Sequence, residues 1–202
     1  MTFGQRFARA VTVTVVRVPP LWRVLRRPLT RNFDRMAPQW DALRVDARRL
    51  AAIDAALEAV DPAPARVLDL GTGSGAVARR AAGRWPGAAV TGADVSTGMI
   101  AEATRLADSP NQHYEVADAS ALPFADGSFD LVTMNNMIPF FDEVARVTAP
   151  GGNVAIAYGL GERTPIYVPL DRVRASLEQR GFVHVANFEV NGGLSLLTRK
   201  SS

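Results

Sequence analysis

Arg66-Val67-Leu68-Asp69-Leu70 runs directly into Gly71-Thr72-Gly73-Ser74-Gly75, and Ala76–Arg84 follows with helical spacing. A short apolar run, a glycine cluster and a helical pattern make a strand–loop–helix unit. The pattern then repeats. Ala88–Asp94 reads as a second strand, followed by Ser96 as an N-cap and a helix carrying Met99, Ile100, Ala103 and Leu106. His113–Ala117 reads as a third strand, Phe129–Met134 as a fourth and Asn153–Tyr158 as a fifth, with a short helix at Asp142–Val147. Such alternation predicts a parallel sheet with helices on both faces. The end of the chain departs from it. After a helix at Leu170–Arg180, the runs Val183–Val190 and Leu194–Lys200 are joined only by Asn191-Gly192-Gly193. Strands joined so tightly are antiparallel neighbours, because a parallel crossover needs a dozen residues or more.

The 202 residues include 22 Arg, one Lys and no Cys, with a net charge of +3. The absence of cysteine excludes a disulfide scaffold, a thiol nucleophile and a thiolate zinc site. The small net charge hides an uneven distribution. Residues 1–35 hold eight arginines and one acid, Asp34, for a net of +7, while the remainder holds 15 basic and 19 acidic residues. The apolar run Val11–Val18 is broken by Arg17 and closed by Pro19-Pro20. It is too short for a spanning helix, which needs about 20 apolar residues, and it lacks the form of an export signal. A cytoplasmic address is expected. The leader reads as a solvated arm, as an amphipathic segment touching anionic lipid (Val15, Val18, Leu21, Trp22 and Leu25 among arginines), or as a lid. A helical pattern from Asp41 to Val60 follows it, stopped by Asp61-Pro62-Ala63-Pro64.

Three acids stand at strand ends: Asp69 just before the glycines, Asp94 at the end of the second strand and Asp118 after the third. Asp69, inside an apolar strand, needs a cation or hydrogen-bond donors beside it. Asp94, 19 residues beyond Gly75, is placed to accept from a ribose diol. A dinucleotide-dependent oxidoreductase would use the same glycines and Asp94, but it would set pyrophosphate over the loop, where Asp69 repels it. A cationic, phosphate-free nucleoside such as S-adenosylmethionine fits better.

Val67–Val77, Thr91–Met99 and Val116–Phe124, with Phe129-Asp130-Leu131-Val132 and Arg146–Gly152, resemble in order and spacing the motifs of class I S-adenosylmethionine-dependent methyltransferases, of the small-molecule and quinone type. The resemblance covers about 66–200. It implies a Rossmann-like seven-stranded, mostly parallel α/β sheet with an antiparallel C-terminal hairpin strand. It implies that Asp69, Gly71, Thr72, Gly73 and Gly75 hold the methionine part of the cofactor and that Asp94 binds the ribose. Val95 and Met99 then pack on adenine, Asp118 and Ala119 read its edge, and Asn135 closes over the cofactor. Asp130 is taken as structural.

Phe33–Asp41 resembles the N-terminal segment of small-molecule enzymes of this family, with Trp40 where Tyr is more usual. The expected acceptor is small and apolar or aromatic, faced by Trp40, Asn136, Phe140, Phe141, Tyr158 and Tyr167. Each of these can equally be core. The division expected is a basic arm with lid helices over 1–62 and a cofactor-binding core over 63–202. No metal site, no catalytic base and no nucleic-acid module is read; His113 and His184 read as structural. A cofactor-binding relative without turnover is the alternative that the shortened helix after strand four leaves open.

Overall fold

The computed structural model describes residues 3–202, with the side chains at 3–7, 17, 19, 28–29 and 43–44 outside that description, so Arg6, Arg17 and Leu43 are not placed. Seven strands form one sheet in the order β3-β2-β1-β4-β5-β7-β6. They are β1 (Arg66–Leu70), β2 (Ala89–Asp94), β3 (Gln112–Val116), β4 (Phe129–Asn135), β5 (Thr148–Tyr158), β6 (Phe182–Val190) and β7 (Gly193–Lys200). All neighbouring pairs are parallel except those of β7, which runs antiparallel to both β5 and β6. The tight turn has Asn191 and Gly192 at φ of 55° and 78°. Backbone of that hand is what a short hairpin link requires. The seven-stranded Rossmann-like sheet expected from the sequence is the one observed.

Helices flank both faces: α1 (Phe3–Arg17), α2 (Trp22–Arg44), α3 (Ala47–Glu58), α4 (Ala76–Arg84), α5 (Thr97–Arg105), α6 (Phe141–Val147) and α7 (Leu170–Glu178). Strand periodicity divides the core between the two faces. Val67 packs with α3 and α4 beside Val90, Leu131 and Ala155. Leu68 and Leu70 point the other way, into a cluster with Phe140, Tyr158, Val173 and Leu177.

Two boundaries differ from the expectation. The helical run from Asp41 to Val60 is two helices, because the chain extends at Val45 and Asp46 caps α3 by accepting from the Arg49 amide at 2.8 Å. Helix α3 is also no part of a lid. Leu50, Ile53, Ala56 and Leu57 are buried against the sheet, and Ser195 donates to the Ala52 carbonyl. A division at residue 62 therefore cuts through a packed layer. The block that lies apart from the sheet layers is α1 and α2. Val11, Val15 and Trp22 of that block are themselves buried in the core, so of the lipid-facing set read from the sequence Val18 and Leu21 are exposed while Val15 and Trp22 are not.

Candidate functional site

The C-terminal ends of β1 and β2, with the turn after β3, gather the three acids at one edge of the sheet. The loop after β1 turns sharply, with Gly71, Gly73 and Gly75 at φ of 64°, 54° and 82°. Only glycine adopts these angles without strain. Gly75 then opens α4. Period-two geometry puts Asp69 on the α4 face of the sheet, beneath that loop. It is 2% exposed, accepts from Thr72 Oγ1 at 2.6 Å and Thr133 Oγ1 at 2.8 Å, and faces the Ala78 amide near the start of α4. Burial pushes its carboxyl up to about 6, and the nearby Asp94 adds to the rise, against the lowering effect of those donors. Of the two partners open to it, the fold supplies donors.

Asp94 Oδ2 accepts from the Gly73 amide at 3.0 Å, and Oδ1 from the Ser96 amide at 2.9 Å. The carboxylate thus ties the glycine loop to the start of α5. Burial raises its pKa, partly offset by the amides of Ser96, Gly73 and Val95, and Asp34 nearby raises it further. Asp118 differs. Its Oδ1 accepts from Trp22 Nε1 at 2.8 Å and from Ser120, and its Oδ2 pairs with Arg26 at 2.5 Å. Burial pushes Asp118 up, but the bonds from Ser120, Trp22 and Arg26 outweigh it and hold the group below the ordinary aspartate value.

Helix α2 lies across these strand ends and is fixed at three stations. Trp22 and Arg26 meet Asp118. Asp34 accepts from Ser96 Oγ at 2.5 Å and the Gly98 amide at 3.1 Å, adding an acid to the positive end of α5. Asp41 accepts from Ser74 Oγ at 2.7 Å and pairs with Arg79 at 3.0 Å. Nineteen residues of helix reach about 29 Å at 1.5 Å each, enough to bridge β3, β2 and β1. None of Trp22, Arg26, Asp34 or Asp41 was read as a site residue. The one available signal was that Asp34 is the sole acid among residues 1–35. Met137 was missed as well; its side chain stands 2.8 Å from where a Cβ on Gly71 would lie.

The remaining residues read from the sequence scatter. Met99 is buried, and Val95 packs against the core cluster that holds Leu68 and Leu70. Ala119 is buried next to Asp118. The Asn135 Oδ1 is buried at the end of β4 and has no hydrogen-bond partner among the described residues. Trp40 stands over the glycine loop, its Nε1 3.5 Å from where a Cβ on Gly73 would lie, and meets Phe33 edge-on at 5.7 Å. Phe140 is buried edge-on against Trp22, and Phe141 is buried beneath the Arg180 guanidinium. Asn136 is exposed and accepts from the Gly159 amide at 2.9 Å. Tyr158 is wholly buried, edge-on to the half-buried Tyr167, and burial pushes its hydroxyl far up. That environment makes Tyr158 a core residue rather than a wall of the cleft. Asp130 accepts from the Ala65 and Arg66 amides and pairs with Arg66, anchoring β1. Arg146 holds the loop before β4 through Glu143, Asp126 and the Leu122 and Phe124 carbonyls.

Known proteins are similar to this chain in sequence and in fold. A methyltransferase-domain family matches residues 67–152. The malonyl-[acyl-carrier protein] O-methyltransferase of Geobacter sulfurreducens is 34% identical over 81% of this chain and 73% of its own length. The demethylmenaquinone methyltransferase of Thermus thermophilus is 41% identical, over 61% of this chain and 62% of that protein. Among solved structures, a methyltransferase of Aquifex aeolicus superposes with a TM-score of 0.66 at 18% identity, covering 84% of this chain and 97% of that one. The [4+2]-cyclase SpnF does so at 0.69 and 19%, covering 86% and 95%. A fold shared with a cyclase does not by itself fix the reaction, but the sequence relatives and the matched domain do fix the family. The chain belongs to the class I S-adenosylmethionine-dependent methyltransferases, and S-adenosylmethionine is its cofactor.

Proposed function

We propose that this enzyme methylates a small, apolar or aromatic acceptor held between α2 and the C-terminal edge of the sheet. The observation that carries the reading is the apolar cover over the glycine loop. Trp40 and Met137 stand over Gly73 and Gly71, with Phe33 beside Trp40. The family relative from Thermus thermophilus is named for a quinone-type acceptor, demethylmenaquinone, which suits such a cover.

The residues present fit the cofactor. The three left-handed glycines form a cradle, and Asn135 Oδ1 is a buried acceptor with no partner among the described residues. In this reading Gly71–Gly75 and Thr72 receive the methionine part, with Asp69 beneath them. Asp94 takes the ribose hydroxyls, Val95 and Met99 flank the adenine, Asp118 and Ala119 meet its edge, and Asn135 accepts from the amino-acid end. The bound cofactor supplies an electrophilic methyl on a sulfonium. The chain's own part is to exclude water and hold the acceptor in line, which can supply most of the rate. No general base is assigned.

Incubation with methyl-labelled S-adenosylmethionine and a cell extract, followed by solvent partition, tests this. Label is expected in organic-soluble small molecules. Label confined to protein or nucleic acid would refute it.

A further inference from the structure

The inner face of α2 meets α5 and the loops after β1 and β3, while its outer face carries a pattern that packing does not explain. Arg23, Arg27, Arg31 and Arg35 recur at every fourth position and are all exposed. At 3.6 residues per turn they form one ridge, with about 6 Å of axial rise between neighbours. Like charges at this spacing weaken a helix. Among the described residues none of the four enters an ion pair. The helix's two acids cannot help, because Asp34 and Asp41 point inward to Ser96 and to Ser74 with Arg79. Other leader arginines do serve the fold: Arg9 donates to the Glu162 carbonyl and Arg26 pairs with Asp118. The ridge is thus a charge left facing water at some cost to the helix.

Apolar side chains share that face. Val24 sits among the ridge arginines in the helical projection and is 73% exposed, the highest of the large apolar residues among the described side chains. Leu21 at 41% and Val18 at 47% are exposed at the corner between α1 and α2, and Val13 at 40% is exposed on α1. Arginine binds phosphate oxygens in a fixed fork, and neighbouring apolar groups enter the boundary between headgroups and acyl chains. A polynucleotide would engage the arginines and leave Val24 and Leu21 in water. The combination favours lipid.

We infer that the outer face of α2, with the α1–α2 corner, docks on an anionic phospholipid bilayer. No helix among the described residues is long and apolar enough to cross a membrane, so the contact is peripheral. Docking in this orientation sets the cofactor cleft one helix diameter, about 10 Å, from the lipid surface. Only the use of that placement, delivery of a lipid-soluble acceptor, rests on the proposed function; the surface itself does not.

The test is co-sedimentation of the full chain with phosphatidylcholine vesicles, with and without phosphatidylglycerol. Binding is expected only with phosphatidylglycerol and should fall with salt. Each ridge arginine should contribute about a fivefold gain in partitioning, so R23Q/R27Q/R31Q/R35Q should lose at least about a hundredfold. Val24→Ser should lose about threefold. Both variants change exposed side chains, and an unaltered thermal transition will verify that each is folded. No preference for the anionic vesicles overturns the inference. So does retention of binding by the quadruple variant, or binding to an oligonucleotide or an acidic acyl-carrier protein in place of vesicles.

Discussion

Asp69 and Asp94 sit on neighbouring strands, yet they are held for different ends. Asp69 is enclosed by hydroxyls and by the start of α4, and its raised carboxyl has a consequence for stability. An acid whose folded-state pKa rises from 3.8 to about 6 binds its proton more tightly in the native state. Its contribution is therefore full below about 4 and is lost as pH rises through about 6. The magnitude is up to about 3 kcal/mol. Denaturant unfolding of the wild type and of Asp69→Asn at pH 4 and pH 7 measures it; the variant should lose less stability than the wild type across that interval. All three acids were legible in the sequence, because strand periodicity and the glycines placed them at strand ends. Their partners were not. Thr133 lies 64 residues from Asp69, Trp22 lies 96 from Asp118, and no local pattern joins them.

At the scale of the element, α2 decides how the site is closed. Its approach to α5 depends on Gly98, where a Cβ would lie 3.0 Å from the Asp34 backbone. Gly98→Ala requires α2 to give way by a few tenths of an ångström. A loss of about 1–3 kcal/mol is expected from such overpacking, with the thermal transition lowered accordingly. Trp22 offers a second test, because its indole N–H occupies an oxygen of Asp118 that the adenine edge would also use. Trp22→Phe keeps the ring against Phe140 and removes that donor. It should cost about 1 kcal/mol of stability and raise S-adenosylhomocysteine affinity severalfold by calorimetry. A weaker affinity would mean that Trp22 supports the adenine instead. The break between α2 and α3 escaped the sequence reading because the apolar spacing runs on past it. Asp46 caps the second helix without the Glu or Gln three residues later that would have marked it; Arg49 stands there.

At the scale of the whole molecule, the alternation of strands and helices and the tight Asn191-Gly192 turn made the sheet readable, including its antiparallel last pair. The place of residues 1–44 was not readable, since amphipathic helices carry no address for the surface they will cover. Val11 and Val15 are 3% and 1% exposed, so α1 is part of the packed body. Removing residues 1–17 uncovers the apolar contacts of both valines, worth about 3 kcal/mol together. It should lower the melting temperature by several degrees, which a thermal scan with S-adenosylhomocysteine absent will show.

The proposed cofactor cleft is bounded by the glycine loop, Asp94 and the loop after β3, beneath α2. Calorimetric titration of S-adenosylhomocysteine into the wild type and into Asp94→Ala tests it most directly. Saturable one-to-one binding by the wild type, weakened at least about a hundredfold in the variant by loss of two hydrogen bonds to the ribose, is the predicted result. Equal affinity of the two proteins, with the variant folded, would contradict it.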